Sequence, residues 1–396
     1  MVRFNHSRGV LVLGIESQGL AILRSLGRAG ISTVLLDQDS WGVARFSRYG
    51  SPFFRTPRYS DHRAFADFLL EVADRLGLEH GGWTLFPTDD DQVEAISRFG
   101  EKLSEVFKIR VPCWEVVSRV LRKNLFYTTA DELGIPHPRS WFPIGELNPS
   151  DLEYPVIIKP VTKTRFGPEF RVKAIKISGP EDLERTIDHL ASRVPIDDML
   201  VQEFVPGRGD CQMSFASIRT LDGRTAGFTA VRKRQHPPEF GKASTYVKAE
   251  AIPEIIEYSQ RLLSHLDYHG VSEIEFKRDS GTGVVKMLEM NARFWGWHSI
   301  GSRCGLDLPR LLFDDIFGSS DVMPGMRDCS AQWVKIPTDL PIALGEIVAG
   351  RTSFIDTLRL YLGIGNVENA TFSPEDPFPF FAEIALIPYL MARRGY

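Results

Sequence analysis

The chain has 396 residues, too many for one ordinary core, so two or three lobes are expected. It is 43% hydrophobic, 25% charged and 11% aromatic, a globular composition that excludes a disordered chain. A formal net charge of −4 argues against nucleic acid as the main partner.

The N-terminal apolar run, "GVLVLGI", is too short for a signal peptide and reads as a strand. "SQGLAILRSLGRAG" has helical periodicity and a stop at Gly30. "ISTVLLD" is a second strand. "RAFADFLLEVADRLG" is an amphipathic helix, and "WTLFPTDDDQVEAISRFG" reads as strand, turn and helix with an Asp run at the strand's end. Alternating strands and helices imply a parallel sheet whose cleft lies at the strands' C-terminal ends. "GIESQG" is neither a P-loop nor GxGxxG, so it is expected to be a strand–helix turn.

From about Val116 the character changes. "VVSRVLRKNLFYTTADELG" is a helix ended by Gly134, and "YPVIIKP" is a short buried strand. "RVKAIKIS" is its expected antiparallel partner across the loop "VTKTRFGPEF". "EDLERTIDHLASRV" is a helix, and "MLVQEFVPG" is a strand running into a turn. Longer β segments follow, namely "CQMSFASIRT", "TAGFTAVRKRQ", "VSEIEFKRD" and "VVKMLEMNARF". The expected domains are 1–115, 116–328 and 329–396. The C-terminal stretch "FPFFAEIALIPYLMARRGY" is interrupted by Pro379, Glu383 and Pro388. It falls short of the roughly 20 apolar residues that span a bilayer. It is expected to cover the core as a helix, with a membrane-surface helix as the alternative. Cys113, Cys211, Cys304 and Cys329 include no CxxC pair, so no zinc site or disulfide framework is expected, and a reducing cytoplasm fits best.

Side chains two apart share a strand face. "LEMNAR" therefore points Glu289, Asn291 and Arg293 one way, and "VSEIEFKRD" does the same for Glu273, Glu275 and Lys277. The turn signal "SGTG" joins the two strands. An odd loop such as Gly281-Thr282-Gly283 sets Glu275 opposite Glu289. A four-residue loop sets it opposite Leu288 and parts the two acids. Opposed carboxylates lie about 5 Å apart at Cβ and need a cation between them. Two Glu and an Asn are hard oxygen ligands that suit Mg²⁺, and Arg293 could clamp a phosphate. A polar strand face with a Glu–Arg pair fits these residues equally well when they are taken alone. Lys159 ends a buried strand and needs an anionic partner or a route to solvent. Lys123, on a helix, would ordinarily lie at the surface. Glu203 to Val205 could meet a flat base through backbone groups, with Asp210 accepting from ribose hydroxyls.

The order of these elements is more specific than any one of them. Lys123 before "ELGIPHP", Lys159 in "IIKP", then "QEFVPG", "EIEF" and "LEMNARF", resemble the ATP-grasp superfamily over about Arg122 to Leu308. "ARFSRY", "FPTDDD" and "VRKRQHPPEFG" resemble its carboxylate–amine ligase branch similar to D-aspartate ligase. The resemblance implies an α/β N-terminal lobe, an α+β ATP-grasp domain of antiparallel sheets with a mobile lid over about 152–202, and a small C-terminal lobe. It also implies an ATP-dependent ligase that joins a carboxylate to an amine through an acyl phosphate, releasing ADP and phosphate. The cofactors implied are ATP and two Mg²⁺ ions, with Mn²⁺ as a substitute. Lys123 and Lys159 would hold phosphates, and Glu203, Phe204, Val205 and Asp210 the nucleoside. Glu275, Glu289 and Asn291 would hold the metal, and Arg293 would stabilise the transferred phosphoryl group.

The chain departs from that pattern in a glycine-poor loop after Lys159, in Ala292 where a proline is common, and in the bulky "WGWH". Arg232 and Arg234 end a strand and are expected to face the cleft, with Arg232 placed in the catalytic set. Asp89, Asp90, Arg45 and Arg48 could read the acceptor. The partners expected are small-molecule carboxylates and amines, with a homodimer and a peripheral membrane contact of the tail as options for assembly. The rival readings are another acceptor, such as a hydroxyl or a cell-envelope precursor, and a nucleotide-binding regulator without catalysis.

Overall fold

The computed structural model describes residues 4–162, 174–237, 243–318 and 323–394. The N-terminal lobe is a five-stranded parallel sheet of β1 (Gly9–Leu13), β2 (Ser32–Asp37), β3 (Phe53–Arg55), β4 (Trp83–Pro87) and β5 (Phe107–Lys108). Its order is β3-β2-β1-β4-β5, so the connections diverge between β1 and β4. A doubly wound sheet opens its crevice at that point. Gly14 ends β1 at φ +137, and a Cβ there would fall 2.2 Å from the Thr88 hydroxyl oxygen beyond β4. Only glycine lets the two strand ends close up in this way. "GIESQG" is a turn into the Ser17–Arg28 helix, as expected. The edge strands β3 and β5 were not expected, because three and two residues are too short for a readable pattern.

A four-stranded antiparallel sheet has the order β6-β9-β7-β8, from β6 (Ser140–Trp141), β7 (Val156–Pro160), β8 (Ile175–Ile177) and β9 (Met199–Glu203). Its apolar face, with Val156, Ile158, Met199 and Val201, is covered by the Pro180–Ala191 helix through Leu183 and Leu190. The loop expected to pair "YPVIIKP" with "RVKAIKIS" falls largely on residues 163–173, outside the described set.

The third sheet is built from β10 (Gln212–Arg219), β11 (Thr225–His236), β12 (Ala243–Ala249), β13 (Gly270–Arg278), β14 (Val285–Asn291), β15 (Gln332–Val334) and β16 (Val367–Asn369). Its order is β14-β13-β10-β11-β12-β15-β16, so the C-terminal segment extends the central sheet. Three buried acids hold that segment, two against earlier parts of the chain and Glu383 within it. Asp376 pairs with Arg24 at 2.9 Å, Asp339 with Arg234 at 2.7 Å and Glu383 with Lys335 at 3.0 Å. The Phe378–Arg394 helix buries Glu383 on one side and exposes Phe378, Phe381, Ile384 and Ile387 on the other. It covers the core with only one face. No described helix is long and apolar enough to cross a membrane.

The cysteine expectation needs correction. Cys304 and Cys329, 25 residues apart, form a disulfide with Cα atoms 5.5 Å apart. A bridge between Gly227 and Met326 brings the second segment beside β11, and Phe228 packs edge-on to Trp297 near the first. This proximity is tertiary, so spacing could not reveal it. The cysteine pattern therefore gives no support to a reducing compartment.

Candidate active site

β13 and β14 form the wall of the site. Arg278 pairs with Val285 across a six-residue turn, 279–284. Such an even loop, continued without interruption, would set Glu275 against Leu288. The register instead skips Leu288, so Glu275 faces Glu289 and Glu273 faces Asn291. The acids meet because a β-bulge supplies the odd residue that the loop lacks.

The face so formed is densely bonded. Asn291 Nδ2 donates to Glu273 at 3.0 Å and to Glu275 at 3.2 Å. The Ser214 hydroxyl donates to Glu273 at 2.9 Å. Arg232 donates to Glu275 at 3.0 Å and to Gln212 and Gln235 at 3.1 and 3.2 Å. Burial works against the Arg232 charge, but Glu275, Glu273 and Glu289 together outweigh it and hold its pKa above the usual value. Burial, then the Glu275 charge, pushes Glu273 up to about 8. Glu273 was noted on this face but given no role, because two sequence steps cannot tell a liganding carboxylate from the one that orients the amide beside it. Among the described residues no three His, Cys, Asp or Glu side chains could hold a metal ion by themselves. Two carboxylates and an amide oxygen would leave positions for phosphate and water, as Mg²⁺ prefers.

Arg293 links this wall to the N-terminal lobe. It donates to Asp90 at 2.6 Å and to the Asn291 amide oxygen at 3.1 Å. Asp90 starts the Asp90–Arg98 helix, which Asp89 caps in a capping box with Gln92. Burial, then Asp90, raises Asp89 to about 6. Lys123 starts the Lys123–Glu132 helix, is only 8% exposed, and lines one small cavity with Asp90, Asp91, Glu94 and Glu289. The expectation of a surface lysine fails because its backbone N–H is drawn to the Val161 carbonyl, across the helix entry.

The other end of the wall meets β9. Lys159 donates to Gln202 at 2.8 Å, and Gln202 donates in turn to the Ser140 hydroxyl. Glu203 accepts from Lys286 of β14 and from the Arg139 backbone. The Val205 carbonyl accepts from Lys277 of β13 at 2.8 Å. Phe204 lies under the ammonium groups of Lys176 and Lys277, at 4.4 and 5.6 Å. Two residues along a strand advance about 6.6 Å. The run from Lys277 through Glu275 to Glu273 therefore leads from the Glu203–Val205 segment to Arg293. Asp210 stands apart, exposed in the Gly209–Cys211 turn.

Arg234 does not face the cleft. It pairs with Asp339 through two hydrogen bonds of 2.9 and 2.7 Å and stacks on Tyr246. Register shifts after Arg232 in the β11–β12 pairing break the alternation that would have kept the two arginines together. Arg45 and Arg48 also go elsewhere. Arg45 packs on Trp41 and Phe53, and Arg48 donates to the Glu375 backbone. His298 is buried, with burial lowering its pKa to about 4, and it bonds the Gln18 carbonyl. "WGWH" is packed into the central core with Phe86 and Phe294.

Two antiparallel sheets bearing a paired-acid wall, behind a parallel lobe, have the arrangement of the ATP-grasp fold. A family model described as "ATP-grasp in the biosynthetic pathway with Ter operon" matches residues 196–337. The solved structures similar to the chain include pyruvate carboxylase T882A of Rhizobium etli, with acetyl coenzyme A. It has a TM-score of 0.61 and 16% identity, and the match covers 80% of the chain but only 29% of that protein. The biotin carboxylase domain of Hydrogenobacter thermophilus 2-oxoglutarate carboxylase, in complex with MgADP, ADP and bicarbonate, has a TM-score of 0.65 and 16% identity. That match covers 82% of the chain and 73% of the domain. The L-amino acid ligase of Bacillus licheniformis has a TM-score of 0.56 and 14% identity, over 79% and 75%. Among curated relatives, D-aspartate ligase of Enterococcus faecium (strain Aus0004) is 23% identical over 305 residues, 71% of either chain. The chain has the ATP-grasp fold and is similar to ligases of that superfamily.

Proposed function

We propose that the chain joins a carboxylate to an amine at the expense of ATP. The observation that carries this reading is the opposition of Glu275 and Glu289 through the Leu288 bulge, with Lys123 lining a cavity that Glu289 also lines. The adenine end of the nucleotide is assigned to Glu203, Phe204 and Val205, with Asp210 for the ribose. The phosphates are assigned to Lys123 and Lys159. Glu275, Glu289 and Asn291 would hold one or two Mg²⁺ ions, Mn²⁺ being a substitute, and the bound metal would neutralise phosphate charge.

A substrate carboxylate oxygen attacks the γ-phosphorus, and ADP leaves with the bridging oxygen. The acyl phosphate is then attacked at carbon by the amine, which expels phosphate and gives up a proton. Arg293 and Arg232 face the developing charge. Catalysis is mainly alignment and charge neutralisation, so no protein nucleophile is needed. The segment 152–202 is proposed as the moving cover of the cleft. The acceptor could instead be a hydroxyl or a cell-envelope precursor. The exposed face of the C-terminal helix fits either a membrane surface or a second copy, and sedimentation with and without lipid vesicles separates these two.

Glu289→Gln tests the site. Turnover should be lost while cooperative melting and metal-free ADP binding persist. Full activity in that variant contradicts the metal assignment.

A further inference from the structure

The bulge at Leu288 is anchored from another element. Tyr127 lies on the Lys123–Glu132 helix and is 3% exposed. Its hydroxyl donates to the Leu288 carbonyl at 2.8 Å. Its ring stacks on His137, with centroids 5.2 Å apart and planes 15° apart. Next to the bulge, the Met287 N–H donates to the Pro136 carbonyl at 2.7 Å. The segment from Tyr127 to His137 thus grips the one place where the ladder slips.

The consequence follows from register. Without the bulge the Arg278–Val285 pairing would continue to Glu275 against Leu288, and Glu289 would turn to the face of Ile274 and Phe276. A phenol donates one hydrogen and can also accept. Glu289 is near enough for its charge to be felt at the phenol.

We propose that Tyr127 is a positioning residue for the nucleotide site. Its hydroxyl fixes the bulge that turns Glu289 toward Glu275. The inference rests on the reading of Glu289 as a metal-binding residue. Bulges commonly re-aim a side chain next to an active site, and loss of an outer partner typically costs 10–100-fold in metal affinity.

The test uses the full chain, with Mn²⁺ as probe, counted by electron paramagnetic resonance in the presence of ADP. Tyr127→Phe keeps the ring and its stacking. It should melt cooperatively near the parent's midpoint and bind ADP without metal as the parent does. Its Mn²⁺ affinity should fall at least about tenfold. Glu289→Gln is run beside it. If Glu289→Gln loses Mn²⁺ and Tyr127→Phe does not, the inference fails while the site reading stands. If neither variant loses Mn²⁺, the site reading fails and takes the inference with it. A Tyr127→Phe protein that does not fold also overturns it, because a residue acting only on the bulge is not needed for the fold.

Discussion

Arg232 and Arg234 lie two residues apart, and the structure gives them opposite fates. Replacing Arg234 with Met should cost stability and leave nucleotide binding alone. Asp339 is fully buried. Without Arg234 it retains the Tyr361 hydroxyl, at 2.8 Å, as its described hydrogen-bond partner. Breaking a buried pair by removing one partner typically costs about 3–5 kcal/mol. At roughly 2 °C per kcal/mol, the value suited to a large domain, the melting midpoint should fall by about 6–10 °C. A second substitution, Asp339→Leu, removes the stranded charge and should recover most of that loss, since packed apolar replacements of buried pairs are often neutral or better. Differential scanning calorimetry reads the stability, and calorimetric titration reads Mg·ADP affinity per folded molecule. A loss below about 1 kcal/mol, or a double variant as unstable as the single one, refutes the energetic argument. Loss of Mg·ADP binding in folded Arg234→Met would return Arg234 to the cleft.

Asp89 should show its burial in the pH dependence of stability. Its folded pKa of about 6 lies above the ordinary aspartate value of 3.8. The neutral acid is therefore favoured by folding, and its contribution is complete below about pH 4 and lost as pH rises through 6. Asp89→Asn keeps a capping oxygen. It should be more stable than the parent at pH 7 by at most about 3 kcal/mol, with no gain at pH 4; an equal gain at both pH values contradicts the cause. Thiol titration of the unreduced, unfolded chain should count two groups, Cys113 and Cys211. A count of four would remove the Cys304–Cys329 bond.

The β/α alternation, the cleft at the strand ends and the order of the motifs were legible because each rests on local periodicity. Lys159 could be singled out because a lysine closing an apolar strand is conspicuous. The opposition of Glu275 and Glu289 was legible only as a condition on parity. What met that condition, the skipped Leu288, depends on Tyr127 and Pro136, more than 140 positions upstream. Arg234 was misplaced because alternation was assumed through a strand that bulges after Arg232. The burial of Lys123, the Cys304–Cys329 bond and the pairing of Arg48 with the C-terminal segment arise from packing between distant segments, which leaves no local pattern. The bulky "WGWH" stood out only as a departure from the family pattern, and its two tryptophans pack in the core.

The central claim is ATP-driven ligation in this cleft. Its most direct measurement is release of ADP and phosphate from Mg·ATP by the purified chain, challenged with a pool of amino acids and other carboxylates, with and without a pool of amines. The account predicts turnover that requires Mg²⁺, rises only when both substrate classes are present and disappears in Glu289→Gln. Tight Mg·ATP binding with no stimulation by any pool would contradict it and favour a nucleotide-binding regulator.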